Sequence, residues 1–329
     1  MSLTLPTYAD IEAAAARLDG RAVKTPLIES PVLNQRMGGR VFLKLENLQR
    51  VGAFKFRGAF NRLSLIPESE RAKGVVAFSS GNHAQGVAAA AGMLGIRAAI
   101  VMPSDAPHAK IEGTRALGAE VIFCARNDDR AAIGQTIASE RGAALIRPFD
   151  DAAIIAGQGT VGLELARQAA ELGAELDDVF VPCGGGGLVS GVALALSHLS
   201  PGTRVTSVEP ENYDGMRRSL SAGVRSRAPG GSPSLADALL TLMPGEIPFA
   251  LAASRLEPGL TINDGELSRA VSYAAQRLKL IIEPGGAAGL AALLAGKITA
   301  RNKAIALIIS GGNCDFATVA TACDRVPEP

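Results

Sequence analysis

The chain has 329 residues, 47% of them apolar and 20% charged, with a formal net charge of +1. That balance describes a globular protein with an ample core and argues against nucleic acid or an anionic membrane as partner. Trp is absent, and the cysteines at 124, 183, 314 and 323 show no zinc spacing, so they read as small buried hydrophobes in a reducing compartment.

Met1 to Ala16 lacks a basic segment followed by an apolar core. No stretch offers the ~18 uninterrupted apolar residues of a membrane span. The expectation is a cytoplasmic protein.

Tyr8 to Leu18 predicts a helix opening near Thr7, with Ile11, Ala14, Ala15 and Leu18 on one face. Thr25-Pro26-Leu27 breaks it, and Val41 to Glu46 alternates like a strand. Lys55 follows, set between Phe54 and Phe56 and ahead of a helix running through Leu65. Most lysines are solvated surface residues. In an apolar setting, however, desolvation disfavours the ammonium, and a neutral amine can condense with an aldehyde.

From Gly74 the pattern alternates. Strands at Val75–Phe78, Ala98–Met102 and Glu120–Cys124 are interleaved with helices at Ala84–Leu94, Ala109–Leu117 and Asp128–Arg141. Such alternation implies βαβ units and a parallel sheet. After Asp151 it resumes with a helix over Thr160–Leu172, a strand at Val179–Pro182, a helix over Leu188–Leu199 and a strand at Arg204–Glu209. Arg225 to Ser234 predicts an exposed loop. Helices over Asn263–Leu280 and Ala287–Ala295 and a strand at Ala304–Ile309 complete the series.

Three strand ends carry candidate binding turns. Gly184, Gly185, Gly186 and Gly187 open a helix, where free N–H groups and the dipole favour an anion and glycine lets the backbone approach it. A phosphate cup is preferred to a flexible linker. A dinucleotide site is disfavoured because Val189 and Ser190 fall where its third glycine belongs, and no Lys-Ser/Thr pair completes a Walker A loop. Ser79, Ser80, Asn82 and His83 could hold a carboxylate or simply cap a helix. Ser310 could face a heterocyclic nitrogen or close a strand-ending turn. Glu209 and Asp214 form either a cation site or a solvated pair, and Glu283 could be a helix-end charge.

Taken together, Thr25-Pro26-Leu27, Gly52 to Ala59, Ser79 to Gln85, Ala156 to Thr160, Gly184 to Gly187, Glu283 to Ala287 and Ser310 to Asn313 span nearly the whole chain. In that order they resemble the serine/threonine dehydratase and serine racemase family of pyridoxal-phosphate enzymes. His83 and the four glycines favour this branch over the related cysteine synthases.

The resemblance implies a tryptophan-synthase-β-like (fold type II) α/β protein of two lobes, each a mostly parallel twisted sheet flanked by helices. Residues 1–70 with 150–329 would form the large cofactor-binding domain, and 71–149 the small one. Lys55 is implied as the Schiff-base lysine and base, and Ser80 as the second-face base that racemases carry. Phe54, Asn82, Gly184 to Gly187, Leu188, Glu283 and Ser310 would bind pyridoxal 5'-phosphate. Ser79, Ser80, Asn82 and His83 would hold the substrate carboxylate.

Metal-binding members of the family place an acid six positions after the counterpart of Glu209. Here that position is Gly215, with Asp214 one earlier, which weakens the case for Mg²⁺ or Ca²⁺. With Pro329 soon after the last strand, a C-terminal regulatory domain and isoleucine control are not expected. The implied activity is an ammonia-lyase acting on a small β-hydroxy amino acid, L-threonine or L-serine, in a homodimer. Alternatives are a 3-hydroxyaspartate dehydratase, a serine racemase with side dehydration, and a non-catalytic amino-acid-binding module.

Overall fold

The computed structural model describes residues 3–79, 81–106 and 108–326. Among these, ten strands form two sheets. They are β1 (Leu27–Glu29), β2 (Arg40–Leu45), β3 (Val75–Phe78), β4 (Ala98–Pro103), β5 (Glu120–Cys124), β6 (Ala144–Ile146), β7 (Asp178–Pro182), β8 (Arg204–Pro210), β9 (Leu256–Ile262) and β10 (Ala304–Ile309). The larger sheet has the order β1-β2-β10-β7-β8-β9, and the smaller β5-β4-β3-β6. Only β1 runs antiparallel to its neighbour. The fold class read from the sequence, parallel sheets flanked by helices, is the one observed.

The central strands β4, β7 and β10 are almost wholly buried, as expected where helices cover both faces of a parallel sheet. Local chemistry sets the helix ends. Thr7 and Asp10 form a capping box at Tyr8–Leu18, and Gly38, Gly95 and Gly142 close helices in the left-handed conformation.

Three strands escape sequence reading. β1 follows the Pro26 break and adds an antiparallel edge, and β6 has only three residues. β9 contains Pro258 and Gly259, a pair more usual in turns than in strands. They are tolerated because β9 is an edge strand, with a register shift against β8 between Thr206 and Val208. The predicted Thr160–Leu172 helix in fact begins at Ala152. Its early glycines are there for packing: a Cβ on Gly157 would stand 2.6 Å from Gly58 Cα on the helix Lys55–Ser64. The predicted Asn263–Leu280 helix runs to Tyr273, then widens into a π turn over Ala274–Leu278 and ends at Lys279 in the left-handed region. Arg225 to Ser234 is irregular as expected, although Ala228 is buried.

Candidate active site

The carboxyl ends of β3, β7 and β10 face one cleft of about 670 Å³, a size suited to a cofactor and a small substrate. It is lined by Phe54, Lys55, Ser79, Asn82, His83, Gly184 to Leu188, Glu283 and Ser310. Segments from both ends of the chain therefore meet. Ser80 lies outside the described residues.

Lys55 begins the helix Lys55–Ser64, as the sequence predicted. The approach to it is tightly fixed. Val51 adopts φ 55°, a conformation β-branched residues rarely take, and its carbonyl accepts a 2.6 Å hydrogen bond from Asn313 Nδ2. The Phe54 N–H donates to the Ser310 carbonyl at 3.1 Å, joining this loop to the end of β10. Lys55 Nζ donates to the Pro148 carbonyl at 2.7 Å, beyond β6. Its side chain reaches the cleft, yet the nitrogen lies deep enough that burial pulls its pKa down to about 8.

Behind Lys55 is a buried ionic network. Arg57 pairs with Glu46 at 2.8 Å and Glu164 at 2.7 Å, while Lys44 pairs with Glu164 at 2.6 Å. Thr25 Oγ1 donates to Glu46 at 2.6 Å. Burial works against the Arg57 charge, but the two glutamates outweigh it and raise its pKa. The Thr25-Pro26-Leu27 and Arg57-Gly58-Ala59 motifs are thus halves of one support for the helix that carries Lys55.

The glycine turn has the form of an anion cup. Gly186 lies at φ +94° before the helix Gly187–Leu199, whose start has no side-chain cap, so its first N–H groups are available to a ligand. A Cβ on Gly185 would come 2.2 Å from the Phe149 ring, and one on Gly186 2.6 Å from Met216 Cε. In the same cleft, the Ser310 hydroxyl makes no hydrogen bond among the described residues, although the residue is 4% exposed. Buried amides for a phosphate, an activated amine for an aldehyde and an unpaired hydroxyl for a ring nitrogen fit pyridoxal phosphate.

Asn82 is held at both ends. Its Nδ2 donates to Glu283 at 2.6 Å, and its Oδ1 accepts from Asn313 at 2.8 Å. Ser79 Oγ accepts from the Gly81 N–H at 3.2 Å. His83 differs from the expectation drawn from the resemblance. Its Nε2 lies 3.1 Å from the Ile146 carbonyl, which can only accept, so that nitrogen carries the hydrogen. Burial, with Lys55 nearby, lowers its pKa to about 3, leaving Nδ1 bare and without a partner. A neutral ring with its donor spent is a poor ligand for a carboxylate. The backbone N–H groups at the start of the helix Asn82–Leu94 suit that role better.

Glu209 and Asp214 lie away from the cleft lining. Both Glu209 oxygens accept backbone N–H groups of Met216 and Arg217 at 2.8 Å, while Asp214 pairs with Arg217 and Arg218. Those oxygens already have partners, and no group of three or more His, Cys, Asp or Glu placed to hold a metal ion forms among the described residues.

Sequence reading missed the opposite wall. Lys110, Arg126, Arg130 and Asp237 line the cleft mouth. No local motif marks them, because they project from separate helices and turns that only the fold juxtaposes.

Residues 19–311 match the family model described as pyridoxal-phosphate dependent enzyme. The chain is 42% identical to an L-threo-3-hydroxyaspartate ammonia-lyase of Saccharomyces cerevisiae, with 97% of each chain covered. It is equally identical, at 42%, to a serine racemase of Schizosaccharomyces pombe, with 96% of each covered. Among solved structures it superimposes on a threonine deaminase from T.th. with a TM-score of 0.88 at 42% identity, covering 94% of this chain and 99% of that one. No helix among the described residues is long and apolar enough to cross a membrane.

Proposed function

The chain belongs to the family of pyridoxal-phosphate dependent enzymes, and from that premise we propose that it is an ammonia-lyase releasing a 2-keto acid and ammonia from a β-hydroxy amino acid. The observation that carries this reading is Lys55, its pKa near 8, facing the same cleft as the uncapped glycine turn. When bound, pyridoxal phosphate supplies an electron sink for negative charge on the substrate α-carbon. Gly184 to Leu188 would hold its phosphate through main-chain N–H groups, Phe54 would supply an apolar contact for its ring, and the uncharged Ser310 hydroxyl would be available to its ring nitrogen. Ser79 and the N–H groups of Asn82 and His83 hold the substrate carboxylate. Lys55, partly neutral near pH 8, takes the α-proton, with the Pro148 carbonyl steering Nζ. The lobe boundaries at 1–70 with 150–329 and 71–149 are part of the same proposal, supported by the division of the strands between two sheets.

L-Threonine or L-serine is the preferred substrate. The cleft wall favours one second reading, 3-hydroxyaspartate: Arg130 lines the cleft and makes no ion pair or hydrogen bond among the described residues, leaving a cation for a β-carboxylate. The test is 2-keto acid release from purified holoenzyme offered L-threonine, L-serine, D-serine and L-threo-3-hydroxyaspartate separately. Release from threonine or serine is expected. Release from hydroxyaspartate alone would replace the substrate, and none from any would refute the lyase.

A cytoplasmic homodimer is also proposed. Leu48, Ile281 and Phe316 are exposed on neighbouring segments, with Asn47 Nδ2 donating to the Ile281 carbonyl at 3.1 Å, and they offer an apolar face for a second copy. Sedimentation showing only monomer at micromolar concentration would refute the dimer.

A further inference from the structure

Glu283 is a buried titratable group with an unusual set of partners. Its side chain is 3% exposed. Oε1 accepts from Asn82 Nδ2 at 2.6 Å, and among the described residues no hydrogen bond or ion pair reaches Oε2. The carboxyl is clamped from behind: the Glu283 N–H donates to the Gly311 carbonyl, and a Cβ on Gly311 would stand 2.2 Å from Oε1. Through Asn82 it connects to Asn313, and through Asn313 to the carbonyl of Val51 on the loop leading to Lys55.

A carboxylate withdrawn from water needs a cation or several donors, and Glu283 has one neutral amide. Three charged or titratable groups face it. Asp237 adds repulsion. Lys110, paired with Asp237 at 2.5 Å, offsets part of that repulsion without outweighing burial, and Cys314 stays a neutral thiol because burial pushes its pKa to about 11. Burial and then Asp237 raise the Glu283 pKa to about 8. Because Oε1 accepts from Asn82, the proton sits on Oε2.

We propose that Glu283 is a positioning residue that works as a neutral carboxylic acid, fixing the Asn82 amide through Oε1 and offering an O–H from Oε2 to an electron-rich oxygen of the aromatic ligand in the cleft. This rests on the cofactor reading of the cleft and adds the protonation state of one wall. As pH rises and that proton leaves, a donor becomes a negative charge, and the grip on the ligand weakens.

Glutamine separates the two states. Its carbonyl can accept from Asn82 and its amide can donate, so it reproduces the acid and cannot become the anion. The test is the pyridoxal phosphate dissociation constant and visible band of native protein, Glu283→Gln and Glu283→Ala between pH 7 and 9. Lys55 also titrates in this range, so the difference between the native and Gln curves isolates Glu283. The Gln variant should bind within about threefold of native at pH 7 and lack part of the native weakening at higher pH, while Ala binds at least about tenfold more weakly. A Gln variant as weak as Ala, or one keeping the whole native pH dependence, would overturn the inference. If native protein takes up no pyridoxal phosphate, the cofactor reading itself fails. If native binds and Gln does not, only this inference does.

Discussion

Lys55→Ala is expected to give a folded, colourless protein that releases no measurable 2-keto acid when mixed with pyridoxal phosphate and substrate. The variant loses the amine that captures the aldehyde and the base that takes the α-proton. Base loss alone is worth about 10²–10⁴-fold. No other lysine is placed to substitute. Lys44 is wholly buried and bonded to Glu164, Gln168 and the Thr25 carbonyl, and Lys110 is paired with Asp237 at the mouth. Stability should not suffer, because the change removes a buried amine whose ionised form is disfavoured. Full turnover in Lys55→Ala, read by keto-acid release and visible absorbance together, would remove the basis of the assignment.

Arg57→Met is expected to destabilise the protein by about 3–5 kcal/mol, the cost of leaving a buried charge without its partner. Glu46 is fully buried and would keep only Thr25 as a direct hydrogen-bond partner, while Glu164 would retain Lys44. Urea denaturation of the apo protein gives the number. Pairing the change with Glu46→Gln should restore part of the loss, because the stranded charge is then removed as well. A single-variant loss under about 1 kcal/mol would mean that the network is not what holds the Lys55 helix.

How far the sequence revealed this molecule depends on where its signals are local. β3, β5 and β10 and the Tyr8–Leu18 helix are read with the boundaries observed, because runs of β-branched residues and a capping box act within a few positions. Pro258 and Gly259 hide β9, since an edge position that tolerates proline is a fact of the whole sheet. Gly157 hides the first turns of the Ala152–Glu171 helix, because its reason is the close approach of Gly58 from another helix.

The site divides the same way. Lys55 and Gly184 to Gly187 stand out because their chemistry is written in adjacent residues. The Asn82–Glu283 hydrogen bond spans 201 positions. The tautomer of His83 depends on the Ile146 carbonyl, and the cations at the mouth depend on how separate segments meet. Glu209 and Asp214 show the converse: two carboxylates close in sequence left a cation site or a solvated pair open, and the fold gives one to a helix start and the other to two arginines.

The most direct test is to treat the purified, pyridoxal-phosphate-loaded protein with borohydride, digest it and locate the pyridoxyl group by peptide mass. The group should sit on the peptide containing Lys55. Its presence on another lysine, or its absence from a protein that still releases 2-keto acid, would contradict the assignment.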